Sequence, residues 1–259
     1  MGKVYIVGAG PGDPELITLK AIKCIEKADV ILYDRLINKD LLKYAKKDAD
    51  LIYCGKLPNY HTMKQETINK FLVKYAKNDK IVTRLKGGDP FIFGRGGEEA
   101  EYLARHQVPF EIVPGITAAM AASSYAGIPL TFRNVSRSCA FLTGHRALND
   151  ENELEELKLM KSVDTLAIYM GVSNIPKIQS KLLKAGRKPN TPVAFIEWAS
   201  TLEQRTIIST IKEMNKDAKI HEIENPCLMI IGDVVKFHHT LNWFEKVHSH
   251  SPFNQEATL

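Results

Sequence analysis

The chain has 259 residues, 44% of them hydrophobic and 25% charged, with a formal net charge of +5. That composition excludes a disordered or collagen-like chain and allows one large domain or two of ordinary size. The basic residues are scattered with no Lys/Arg run of the kind that makes a nucleic-acid arm, so the balance suits a small anionic ligand and no nucleic acid.

The first residues, Met1 to Val7, run straight into a strand and carry no secretory signal. Short apolar runs at Val4–Val7, Val30–Tyr33, Leu51–Cys54, Ile81–Leu85 and Phe110–Val113 read as strands. Between them Pro14–Ala28, Lys64–Asn78 and Gly97–His106 read as helices. Leu16, Leu19, Ile22, Ile25 and Ala28 recur at helical spacing, with Asp13 as N-cap and Pro14 at the first position. This order predicts a largely parallel sheet with helices on its faces. After Val113-Pro114-Gly115 comes a small-residue helix, Ile116–Ala126. Strands are then predicted at Ala140–Thr143, Thr165–Met170, Val193–Glu197, Arg205–Ser209 and Cys227–Ile231, with a helix at Ile175–Ala185 ended by Gly186. Several strands and fewer helices predict a mixed sheet. The expected division is an N-terminal α/β domain over 1–114, a C-terminal α/β domain over 115–247, and a mobile tail over 248–259.

The longest uncharged stretch, Ile112 to Phe132, is broken by Pro114, Gly115, Gly127 and Pro129, so no membrane span is expected. Cys24, Cys54, Cys139 and Cys227 form no CxxC pair, which gives neither a zinc site nor a disulfide framework and fits a cytoplasmic setting. His238, His239, His248 and His250 have no carboxylate or thiol at ligand spacing, so no metal is expected.

Chemistry concentrates just beyond the strands. Gly8-Ala9-Gly10-Pro11-Gly12-Asp13 looks like a dinucleotide loop, but the third glycine is replaced by Asp13 and Pro11 has no N–H to offer a phosphate. It is either a tight structural turn or the edge of a different nucleotide-like site. Arg84-Leu85-Lys86-Gly87-Gly88-Asp89-Pro90-Phe91-Ile92-Phe93-Gly94-Arg95-Gly96-Gly97-Glu98-Glu99 follows a strand. Its glycines permit close backbone approach to a ligand, and Arg84, Lys86 and Arg95 bring positive charge. Gly115 and Thr117 open a helix whose free N–H groups can meet a carboxylate, and its alanines equally suit tight packing. Asp34 can act as a base or cap the next turn; Lys56 has the same strand-end placement, though a lone lysine is usually a surface residue.

Together these segments resemble the uroporphyrinogen-III C-methyltransferase branch of the S-adenosyl-L-methionine (SAM)-dependent tetrapyrrole methylases. The resemblance rests on Val7–Pro14, Tyr33–Leu36, the whole Arg84–Glu99 segment, Pro114–Thr117, Ala126–Thr131, Thr143–His145, Tyr169–Gly171 and Gln204–Thr206. The Gly-Pro-Gly-Asp element is shared with the wider family and with diphthine synthases; the Arg84–Glu99 segment is more specific. The resemblance implies two α/β domains with the active cleft between them, a homodimer, and methylation of uroporphyrinogen III at C2 and C7 to precorrin-2 by way of precorrin-1. It implies SAM contacts at Pro11, Gly87, Gly88, Asp89, Ile92, Thr117, Ala118, Met170 and Ala199. By the same resemblance Asp34 is the proton acceptor and Lys56 the proton donor. Arg84, Lys86, Arg95, Arg133, Arg137 and Arg146, on expected cleft loops, would receive the substrate's carboxylates. Phe132 stands where the family usually has His, and Ala199 where Gly is common. With no appended dehydrogenase–chelatase module, methylation alone is expected. A later-acting precorrin methylase, a diphthine synthase-like enzyme, an NAD(P)-dependent oxidoreductase and a non-catalytic binding module are the rival readings. The end product, siroheme, cobalamin or heme d1, stays open.

Overall fold

The computed structural model describes residues 1–55, 63–144 and 153–248. The chain divides into two units, Met1–Ala118 and Ala119–Leu259.

In the first unit the strands are β1 (Lys3–Gly8), β2 (Val30–Tyr33), β3 (Asp50–Tyr53), β4 (Ile81–Lys86) and β5 (Phe110–Val113). They form one sheet in the order β3-β2-β4-β1-β5, with every pairing parallel. The crossovers include α1 (Leu19–Lys27), α2 (Gln65–Lys77) and α3 (Gly96–Arg105). Strand side chains alternate between faces. Val4, Ile6, Val30, Leu32 and Val82 pack with Ile68, Leu72 and Ala76 of α2 and Leu103 of α3. Val7, Ile31, Leu85 and Val113 pack on the other face with Ala21, Cys24 and Ile25 of α1. The alternation along β4 therefore puts Arg84 and Lys86 on the face covered by α2 and α3.

One expected helix is shorter than its pattern. Asp13 accepts from the Glu15 N–H and caps only a 3-10 turn, Pro14–Leu16. The α-helix begins later, capped by Thr18, whose hydroxyl accepts from the Ala21 N–H. The turn shifts the helical phase, so Leu19 is 78% exposed while Ala21, Cys24 and Ile25 are buried.

The second unit holds β6 (Cys139–Thr143), β7 (Thr165–Tyr169), β8 (Pro192–Glu197), β9 (Arg205–Thr210) and β10 (Cys227–Ile231) in the order β6-β7-β10-β8-β9. Only β6 and β7 are paired in parallel; β10 runs antiparallel to both β7 and β8, and β9 antiparallel to β8. The sheet is mixed, as expected. Helices are more numerous than the apolar pattern suggested. Besides α4 (Ala118–Tyr125) and α6 (Ile175–Lys184) there are α5 (Glu153–Ser162), α7 (Met214–Ile220), α8 (His238–Leu241) and α9 (Phe244–His248). Helix α7 is short and fixes only Met214 and Ala218 in the core, too few apolar positions to show a period. The alanines of α4 serve packing: Ala119 and Ala122, with Ala126 and Ile128 just beyond, lie in one core with Ala167, Ala194 and Ile230 of the sheet. The expected tail beyond His248 lies outside the described residues.

Candidate active site

In a parallel sheet every strand ends at the same edge, and ligands bind outside the carboxyl ends. In the first unit that edge collects Gly8 to Pro11 after β1, Asp34 after β2, Cys54 after β3, Gly87 to Asp89 after β4, and Pro114 to Ala118 after β5. The loops are laced to one another. Gly88 N–H donates to the Gly10 carbonyl at 2.7 Å, and Gly10 N–H returns a bond to Gly88 at 3.3 Å. The Asp89 carboxylate accepts from the Phe91 and Gly115 N–H groups at 2.8 and 3.0 Å. Asn38 holds the Gly12 carbonyl at 2.9 Å. The structure thus brings Pro11, Gly87, Gly88, Asp89, Thr117 and Ala118 into one loop cluster.

Close approach here is first of all between backbones. A Cβ on Gly8 would stand 2.6 Å from the Gly115 nitrogen, and one on Gly115 2.4 Å from the Gly88 carbonyl oxygen. Gly88 differs. An added Cβ would meet nothing nearer than 3.7 Å, but its φ is +68°. An added methyl would make only ordinary van der Waals contact with Thr117 and Ala118, while the left-handed backbone favours glycine. Gly88→Ala is accordingly expected to cost about 1–2 kcal/mol of stability, read by chemical denaturation. A variant as stable as the parent would show that the loop relaxes out of this conformation.

Behind the loop edge lies a buried ionic network. Arg84 and Lys86 are each 2% exposed and Glu99 is fully buried. The Glu99 Oε1 atom accepts from Arg84 Nε at 3.1 Å, Lys86 Nζ at 3.0 Å and Gln65 Nε2 at 3.0 Å. Arg84 Nη2 reaches the Asp34 carboxylate at 2.5 Å, and Lys86 Nζ lies 3.9 Å from its other oxygen. Asp34 is about one third exposed and its N–H is anchored on the Leu85 carbonyl. Burial opposes the charge on Arg84, but Glu99 and Asp34 more than offset it and raise its pKa. Burial, with Arg84 alongside, lowers that of Lys86. Burial also pushes the Cys54 thiol up to about 11.

This corrects the placement of two expected substrate-binding cations. Arg84 and Lys86 are strand residues, not loop residues, and their charges are turned inward onto Glu99 and Asp34. Arg95 is half-exposed on the loop, held at φ 61° and paired in bidentate fashion with Glu98 at 3.0 and 2.6 Å. Ile92 is half-buried in the same loop. Sequence reasoning passed over Glu99. The signal was the phase of α3, where Gly96, Glu99, Ala100 and Leu103 share its buried face. Lys56 and Arg146 lie outside the described residues.

In the second unit β7 and β8, both antiparallel to β10, end at the same edge. Met170 follows the first and Trp198-Ala199-Ser200 the second. Met170, Trp198 and Ser200 take φ values of 52°, 47° and 63°, a left-handed backbone that non-glycine residues adopt at a cost and that gathers at functional sites. Met170 is 48% exposed and Ala199 half-buried, so both remain reachable. Arg133 and Arg137 are exposed. Phe132 stacks on Phe237 with ring centroids 4.0 Å apart. Among the described residues no group of three or more His, Cys, Asp or Glu is arranged to hold a metal, and no helix is long and apolar enough to cross a membrane.

The family Tetrapyrrole (Corrin/Porphyrin) Methylases matches residues 3–215, and the chain belongs to it. It is 58% identical over 245 residues to a Uroporphyrinogen-III C-methyltransferase of Bacillus subtilis, covering 95% of each chain. It is 62% identical over 237 residues to the Priestia megaterium protein of that name, covering 92% of this chain and all of that one. Among solved structures it resembles uroporphyrin-III C-methyl transferase from Thermus thermophilus complexed with S-adenyl homocysteine. That likeness has a TM-score of 0.77 and 40% identity, over 91% of this chain and 99% of the other.

Proposed function

We propose that this chain is a SAM-dependent C-methyltransferase that converts uroporphyrinogen III to precorrin-2, methylating C2 and C7 by way of precorrin-1. The observation that supports the reading is 58–62% identity, over 92% or more of this chain, to proteins bearing that name. The residues present fit SAM. Small residues line the loop edge at Gly87, Gly88 and Ala118, and Met170 and Ala199 stay reachable. Pro11, Gly87, Gly88, Asp89, Ile92, Thr117, Ala118, Met170 and Ala199 would hold it. When bound, SAM supplies an electrophilic methyl group on its sulfonium sulfur. The protein's part is alignment, which contributes on the order of 7–11 kcal/mol in favourable cases, and removal of the proton released from the macrocycle. Asp34 is the proposed base and Lys56 the proposed proton donor.

The substrate carries eight carboxylates, and Arg95, Arg133 and Arg146 are the proposed receivers. Because exposed charge pairs are screened over about 8–10 Å, the KM for uroporphyrinogen III should rise with salt more steeply than the KM for SAM. Equal slopes across a salt series would remove the exposed arginines from substrate binding. The activity itself is tested by turnover with SAM and uroporphyrinogen III, reading two methyl transfers per substrate by mass spectrometry. The proposal extends to a homodimer, checked by light scattering, working in the cytoplasm. The four cysteines are free thiols, the state a reducing compartment keeps.

A further inference from the structure

We propose that Glu99 is a positioning residue of the methyl-transfer site, dividing the charge of Arg84 and Lys86 so that Asp34 keeps the basicity it needs. The inference rests on the reading of Asp34 as the base.

Arg84 and Lys86 each face two carboxylates. One is Glu99, fully buried at the back; the other is Asp34, about one third exposed at the sheet edge. The guanidinium fork spans them, with Nε on Glu99 and Nη2 on Asp34. Lys86 Nζ sits 3.0 Å from Glu99 and 3.9 Å from Asp34. Among the described residues the other groups around this cluster include Gln65, Cys54 and Arg95, whose charge also acts on Glu99 while its guanidinium is paired with Glu98. Gln65 of α2 donates to Glu99, and the Cys54 thiol beyond β3 is kept protonated by burial. Two cations thus meet two carboxylates directly, and Glu99 bears the larger share of the interaction with Lys86. Without its charge, both cations would act on Asp34 alone. A carboxylate facing two uncompensated cations loses proton affinity, and a base that binds its proton weakly is a poorer acceptor.

All three bonds to the Glu99 carboxylate fall on Oε1, while Oε2 is buried without a hydrogen-bond partner. A glutamine can keep the three bonds on its oxygen and place its amide nitrogen where Oε2 stands. Glu99→Gln thus removes charge while retaining shape.

The test is the single-turnover rate against pH for Glu99→Gln and Lys86→Gln, beside Asp34→Asn, with SAM affinity measured for each. The rate of a reaction needing ionised Asp34 rises with pH through its pKa. In Glu99→Gln that acid limb should move to lower pH by about one unit, with a plateau rate reduced about tenfold and SAM affinity unchanged. In Lys86→Gln, where one cation is lost instead, the limb should move up. Opposite displacements distinguish charge sharing from structural support, which would displace neither or both alike; if one variant fails to fold, a limb in the other that stays in place or moves against the stated direction overturns the proposal. Unmoved limbs with Asp34→Asn impaired would overturn the role of Glu99 alone. Undiminished turnover in Asp34→Asn would overturn the reading of Asp34 and this proposal with it.

Discussion

Asp34→Asn is expected to lower the single-turnover rate at least about a hundredfold, the lower end of what a positioned general base contributes, with SAM affinity nearly unchanged. The fold should tolerate the change. Asparagine keeps an oxygen for Arg84 Nη2, which now binds Asp34 at 2.5 Å, and the anchoring bond from the residue's N–H to Leu85 is backbone. What it removes is the capacity to accept a full proton. A thermal melt alongside the kinetics separates chemistry from stability. If the rate stays near that of the parent while the protein melts normally, Asp34 positions substrate and the proton leaves by another route.

Arg84→Met should act on stability rather than on substrate binding. The guanidinium is buried between Glu99 and Asp34 and also donates to the Leu32 and Leu85 carbonyls. Removing one partner of a buried ion pair leaves the other charge desolvated and commonly costs about 3–5 kcal/mol. Lys86 remains on Glu99, so about 3 kcal/mol, the lower end of that range, is expected by denaturant unfolding. An unchanged stability with a large rise in the KM for uroporphyrinogen III would instead make Arg84 a direct receiver of substrate carboxylate. Arg133, exposed on its loop, provides the contrast: Arg133→Ala should leave stability within about half a kcal/mol.

The sequence alone determined the elements that local chemistry dictates. Runs such as Val30–Tyr33 and Val193–Glu197 are strands because β-branched and aliphatic residues fill a sheet buried on both faces. The Gly-Pro-Gly-Asp and Arg84–Glu99 segments marked the loops of the site because such residue choices are costly without a special backbone. The helix phase of α1 was lost to a local competition, since Asp13 capped a 3-10 turn that its spacing did not reveal. Helix α7 escaped because its burial is confined to two side chains.

Only the tertiary structure decided what the charged residues of the site do. Arg84 and Lys86 alternate along β4 in a way that sequence can place on one face, but not assign to solvent or interior. Their direction depends on α3, whose rotation about its own axis puts Glu99 beneath them. That long-range pairing turns the charges of two expected substrate-binding cations inward onto Glu99 and Asp34. Likewise the sequence does not show why Gly88 and Gly115 are glycines, and the fold separates them: the first has a positive φ, the second would clash with another backbone. Both distinctions arise because a side chain's environment is set by segments remote in the chain, and no local pattern contains them.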